Sequence, residues 1–153
     1  MLVERFLFKE SKIVYYHFSI KLKDNKYESV CCELPGCRVI ATDYDTIKKD
    51  SFSCLDSYLR DPQNTVELPC QFPQLLRGNI QRIRVDDKIV FSLLLRHIRN
   101  KYQYTQQEMA KKLKCKNLKN YQRLEKNTDP KLSTIQEIVK VFPDFPVQLL
   151  FYK

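Results

Sequence analysis

Thr105-Gln106-Gln107-Glu108 has the form of a capping box. The threonine hydroxyl can accept from the backbone N–H three residues on, while the glutamate reaches back to the threonine N–H. It opens a short helix whose inner face is Met109, Ala110 and Leu113, with Ala110 supplying the small side chain that two steeply crossing helices need at closest approach. After a turn over 114–117, a second helix presents Leu118, Tyr121 and Leu124 inward and Lys119, Asn120, Gln122, Arg123 and Lys126 outward. These outward types suit base reading: Arg and Lys donate to guanine, and Asn and Gln pair bidentately with adenine. A short helix, a turn and a second helix with such a row fit the insertion of that second helix into a DNA major groove. On this reading Lys119, Asn120, Gln122 and Arg123, with Asn117 at the turn, reach bases, and Gln106, Lys112, Lys116 and Lys126 reach phosphates.

The other chemistry-bearing residues do not assemble into a catalytic pattern. A two-metal nuclease needs several carboxylates converging on its ions. The candidates Asp24, Glu28, Asp43 and Asp45 fall in a turn, in a strand without an acidic neighbour, and at a helix start. His17 reads as a strand residue and His97 as a packing or surface residue of a helix. The six cysteines, Cys31, Cys32, Cys37, Cys54, Cys70 and Cys115, lack paired C-x-x-C spacing, so no zinc site is expected. Without a basic-then-apolar leader at the N-terminus they are expected as reduced thiols of a cytoplasmic protein. Two glycines leave no room for a Gly-rich phosphate loop. The chain is therefore expected to be no enzyme and to hold no cofactor and no metal. No apolar run approaches the roughly 20 residues of a membrane span, so no membrane partner is expected.

Charge separates the 153 residues into two parts. Residues 1–86 carry 13 basic and 12 acidic side chains, whereas residues 87–153 carry 14 and 6. A compact basic half points to a polyanion partner. The patterning changes at the same place, Asp86-Asp87. Before it, residues 13–22, 27–32, 37–42 and 80–85 read as strands, the first three as an antiparallel meander. Ile47, Phe52, Leu55, Tyr58 and Leu59 make a helical stripe, with Asp43 or Asp45 as its cap and Asp61-Pro62 as its end. The first half is thus β-β-β-α-β, with one helix over one face of a small sheet. After the boundary, helices are expected over 87–101, 106–113, 118–126 and 133–142, the first apolar almost all round. The expected class is α+β, with domains at 1–86 and 87–153.

Two resemblances follow from these residues. Arg99, Thr105-Gln106-x-Glu108-x-Ala110, Leu113 and Arg123-Leu124-Glu125 resemble the Cro/repressor-type helix-turn-helix family. The resemblance implies a mostly buried ion pair between Arg99 and Glu125 and a phosphate contact from Gln106. Lys114 stands where that family usually has glycine, and the stretch from Ala110 to Glu125 is one residue longer than usual. The first half, with Tyr27 and Glu33-Leu34-Pro35-Gly36-Cys37 between strands, resembles the HicB antitoxin. That resemblance implies a partial RNase H-like fold that binds and inhibits HicA, a small toxin that cleaves mRNA. Together they imply an antitoxin that represses its own operon by binding operator DNA. The alternative is a stand-alone transcriptional regulator whose first half senses a ligand or dimerises.

A homodimer is expected, because a two-fold dimer reads a palindrome. The apolar tail holds Val147, Leu149 and Phe151 at period two, as a strand crossing to a partner would. Phe145, Leu149 and Tyr152 read alternatively as one helical turn folded onto the same domain.

Overall fold

The computed structural model describes residues 14–70, 73–126 and 129–151. The fold is α+β, a four-stranded antiparallel sheet with five α-helices among the described residues. The strands are β1 (Tyr15–Lys23), β2 (Lys26–Cys31), β3 (Arg38–Ala41) and β4 (Asn79–Arg84), in the order β3-β2-β1-β4. The expected start of the first strand at Ile13 lies outside the described residues.

Local chemistry sets each turn. Asp24 and Asn25 take φ of 50° and 58°, the doubly left-handed turn whose twist matches a two-residue hairpin. The Lys23–Lys26 pair closes it. Leu34 to Cys37 form a β-turn in which the Cys37 N–H donates to the Leu34 carbonyl at 2.8 Å, with Pro35 presetting its own φ.

Pairing divides the sheet into two faces. Phe18 opposite Cys31, Ile20 opposite Ser29 and Ile83 opposite Tyr16 lie on one face. Helix α1 (Tyr44–Arg60) covers it with buried Ile47, Ser51, Leu55 and Leu59. The Ser51 and Ser29 hydroxyls pair at 2.7 Å, so the polar groups buried under the helix satisfy each other. Asp43, not Asp45, is the cap: its carboxylate accepts from the Thr46 N–H at 2.8 Å. Asp61 ends the helix.

Asp86 caps α2 (Asp87–Lys101), and α3 (Gln106–Lys112), α4 (Leu118–Leu124) and α5 (Leu132–Val141) follow. Each lies within two residues of its expected span. One apolar cluster runs through both halves, joining Tyr16 and Phe18 of the sheet, Leu55 and Leu59 of α1, Leu93, Leu94 and Ile98 of α2, and Met109, Tyr121 and Ile138 beyond. The all-round apolar surface of α2 is buried within its own chain, against both halves. Arg96 in the middle of this helix is 1% exposed. It donates to the carbonyls of Asp61, at 2.6 Å, and Leu59, the carbonyls a helix end leaves without intrahelical partners. Burial pushes its pKa down, and nearby Glu125 opposes that shift.

The tail corrects the period-two strand. Val147–Leu150 is a 3-10 turn, and its partly buried Val147, Leu149 and Leu150 pack on the core. Phe145 is buried with its ring 6.4 Å from that of Phe91 on α2. Phe145 and Phe91 supply a bulky apolar contact inside the chain, so this stretch folds back rather than crossing away. Tyr152 lies outside the described residues. No described helix is long and apolar enough to cross a membrane.

Candidate nucleic-acid interface

Helices α3 and α4 are short, and each is fixed at its start by a side chain. The Thr105 hydroxyl accepts from the Glu108 N–H at 3.2 Å, and Glu108 accepts from the Thr105 N–H at 2.7 Å. The bonds that the Glu108 carboxylate accepts from the Thr105 N–H and from the Thr105 hydroxyl, the latter at 2.9 Å, hold it below its ordinary range. Asn117 caps α4, its side-chain oxygen accepting from the Asn120 N–H at 2.9 Å.

The turn between them is a Schellman motif without glycine. The Cys115 N–H donates to the Ala110 carbonyl at 2.9 Å and the Lys114 N–H to the Lys111 carbonyl at 3.1 Å. Lys114 sits at the left-handed position with φ of 50°. A lysine therefore occupies a conformation that glycine adopts without steric cost.

At the helix ends away from this turn, the start of α3 and the end of α4, a polar network ties three helices together. Glu125, at the end of α4 with its side chain 1% exposed, pairs with Arg99 of α2, whose side chain is 17% exposed. Glu125 also accepts from the Tyr121 hydroxyl at 2.6 Å and from Gln106 Nε2 at 2.7 Å. Gln106 Oε1 accepts in turn from Gln122 Nε2 at 3.0 Å. Burial, aided by the Glu125 carboxylate, pushes the Tyr121 phenol far up, so it remains a donor. Every carboxylate oxygen is thus bonded, the condition under which a buried charge is tolerated.

The structure places the expected site residues as follows. Lys119 and Arg123 are exposed along α4 and Lys126 just past its end, and Asn120 and Gln122 are half-buried beside them. Lys116 and Lys112 are exposed on the turn and on α3, with the Lys112 ammonium 4.6 Å from the Tyr104 ring centre. Gln106 and Gln122 touch each other across the two helices, and Asn117 uses its carbonyl oxygen as a cap. Arg99 and Glu125 come together; His17 and His97 do not, the first pairing with Glu33 and the second lying by the Val66 carbonyl.

From Met109 to Lys126 the chain carries seven basic side chains and a single acidic one, Glu125. That carboxylate is buried and paired, so the surface of this segment is purely cationic. No described group of three or more His, Cys, Asp or Glu is placed to hold a metal ion. Sequence reasoning missed Arg96 and the pairing of His17 with Glu33. No local pattern signals either, because their partners arrive from elements distant along the chain.

Comparison with family models finds no match for this chain, and comparison with curated proteins finds none.

Proposed function

We propose that the chain is an antitoxin-repressor of the HicB type, acting by binding rather than by catalysis. Residues 87–153 form a Cro/repressor-type helix-turn-helix that reads operator DNA as part of a homodimer. Residues 1–86, a partial RNase H-like unit, bind and block a HicA-like mRNA-cleaving toxin.

The observation that carries the DNA half of this reading is the Glu125 network. It locks α2, α3 and α4 to one another while the row Lys119, Asn120, Gln122 and Arg123 lies along α4. A rigidly seated helix with a predominantly basic surround meets both needs of operator binding, positioning by phosphates and reading by base edges. Dimerisation rests on the two-fold symmetry of operators, since α2 is already buried in its own chain and the tail packs partly onto it.

The test of the DNA half is anisotropy with the labelled promoter of the protein's own operon. Arg123→Ala costs about 1–3 kcal/mol on the specific site and little on random duplex. Lys116→Ala weakens all duplexes alike and lowers the salt slope by about one. If neither variant alters promoter binding, the assignment fails. Co-expression with the adjacent reading frame tests the toxin half: a small protein that co-purifies, and whose toxicity the chain suppresses, is expected. Light scattering of the intact protein at micromolar concentration reads a two-chain mass; a one-chain mass overturns the dimer.

A further inference from the structure

The near-neutral count of the first half hides a separation of charge. Strand register puts Lys21 and Lys23 of β1, Lys26 of β2, Arg38 of β3, and Arg82 and Arg84 of β4 on the face of the sheet opposite α1. All six are exposed. The same face carries one strand carboxylate, Glu28, which is spent on Arg38, while Glu33 beyond the end of β2 turns a buried carboxylate onto His17. Arg84 is paired with Asp87 at the start of α2 at 2.8 Å, and Asp24 sits in the β1–β2 turn, while the exposed Asp43, Asp45, Asp50 and Asp61 lie on or beside α1.

Of the remaining side chains of this face, His17 at its centre is buried against Glu33, Ile40 is exposed on the edge strand β3, and the others are of a particular kind. Arg82 lies over the ring of Tyr15, its guanidinium carbon 4.5 Å from the ring centre. Half-buried Val30, Ser19 and Ile80 lie in one row across the strands. An antiparallel sheet face with a cationic margin, an aromatic–guanidinium stack and the mixed row of Val30, Ser19 and Ile80 matches an unpaired nucleic-acid strand. Phosphates meet the lysines and arginines while base planes lie on the Tyr15–Arg82 stack and the mixed row. An acidic protein segment would meet the charges but leave the stack and the mixed row without a purpose. Duplex DNA would reach the margin and not the row.

We propose that the open face of the sheet binds single-stranded RNA, a second nucleic-acid surface separate from α4. This goes beyond the antitoxin-repressor reading and does not depend on it.

The test uses the full chain and a labelled 12-nucleotide mixed-sequence oligoribonucleotide at physiological salt, followed by anisotropy. Two variants alter the sheet face, K21E/K23E at exposed strand-end positions and R82E at the stack; K119E/R123E alters α4. Circular dichroism of each variant confirms that the fold is kept. The proposal expects a tenfold or greater loss of RNA affinity in K21E/K23E and R82E, with promoter duplex binding held within twofold. K119E/R123E should leave RNA binding within threefold. Loss of RNA binding in K119E/R123E alone places the site on α4 and overturns the proposal. So does unchanged affinity in both sheet variants, or no binding by the unaltered chain. Equal competition by poly-glutamate at matched charge assigns the face to an acidic protein and overturns it too.

Discussion

Arg96 and Arg99 stand one helical turn apart on α2, and they tie that helix to two different parts of the chain. Arg96 donates to the carbonyls of Leu59 and Asp61 at the end of α1, and Arg99 donates to the carboxylate of Glu125 at the end of α4. One turn of helix thus fixes both the sheet-covering helix and the proposed reading helix.

Arg96→Met removes the charge and keeps the apolar stem. The buried Leu59 carbonyl is left without its donor, while the Asp61 carbonyl keeps the Asn64 N–H at 3.2 Å, at a cost of about 1–3 kcal/mol. Urea unfolding should show that loss as a lower midpoint with little change in slope. A loss below about 0.5 kcal/mol would mean that water serves those carbonyls equally well.

The Arg99–Glu125 pair calls for a double-mutant cycle. Glu125→Leu leaves the Arg99 guanidinium, the Tyr121 hydroxyl and the Gln106 amide without their common acceptor. Breaking a buried pair from one side costs about 3–5 kcal/mol, and residual access of water to Arg99 places this one at the low end. Changing both residues to apolar ones should cost less than the Glu125 change alone. Additive single losses would show that the two residues do not act as a unit.

The elements were legible because local signals agreed with one another. The capping box at Thr105–Glu108 and the period-two run of β4 each settle a boundary from a few neighbouring residues, whereas the sequence leaves the cap of α1 open between Asp43 and Asp45 and the structure selects Asp43. The α3–α4 surface was legible too, since its basic side chains lie within one short segment. Arg96 was not, because a main-chain carbonyl 35 residues away leaves no mark in composition or period. The charged sheet face escaped for a different reason. Lys21 and Lys23 share a face with Arg82 and Arg84 only through strand pairing, and summing over 1–86 cancels them against acids on the other side. The tail misled by length. Three apolar residues at alternate positions are too few to separate a strand from a 3-10 turn, and the contact between Phe145 and Phe91 decides it.

Lys114 makes the glycine-poor turn a simple test. At φ of 50° its side chain costs strain that a glycine avoids, against the extra entropy a glycine loses on folding. Lys114→Gly should therefore stabilise the protein by about 0.5–1 kcal/mol. Gln103, at φ of 55° in the matching turn after α2, should respond to glycine in the same direction. Thermal unfolding of the two variants checks this. A lowered midpoint in both would show that the left-handed positions carry no strain.

Glu33 makes stability depend on acid in a predictable direction. Burial raises its pKa, but the hydrogen bonds it accepts from the His17 ring at 2.6 Å, the Cys70 N–H at 3.0 Å and the His17 N–H at 3.0 Å outweigh that and lower it below 4.5. A carboxyl held lower in the folded chain than in the unfolded one stabilises the fold above the unfolded value. That stability is lost as pH falls through the folded value, because protons then bind first to the unfolded chain. Glu33→Gln removes the ionisation, and the variant should be less stable than the parent at pH 7. The gap between the two should narrow as pH drops from about 5 toward 3. Other carboxylates titrate in the same range, so the informative quantity is the difference between parent and variant at each pH, read from urea midpoints. A gap that stays constant down to pH 3 would mean that the carboxylate charge of Glu33 contributes nothing to holding His17 and the segment around Cys70 against the end of the sheet.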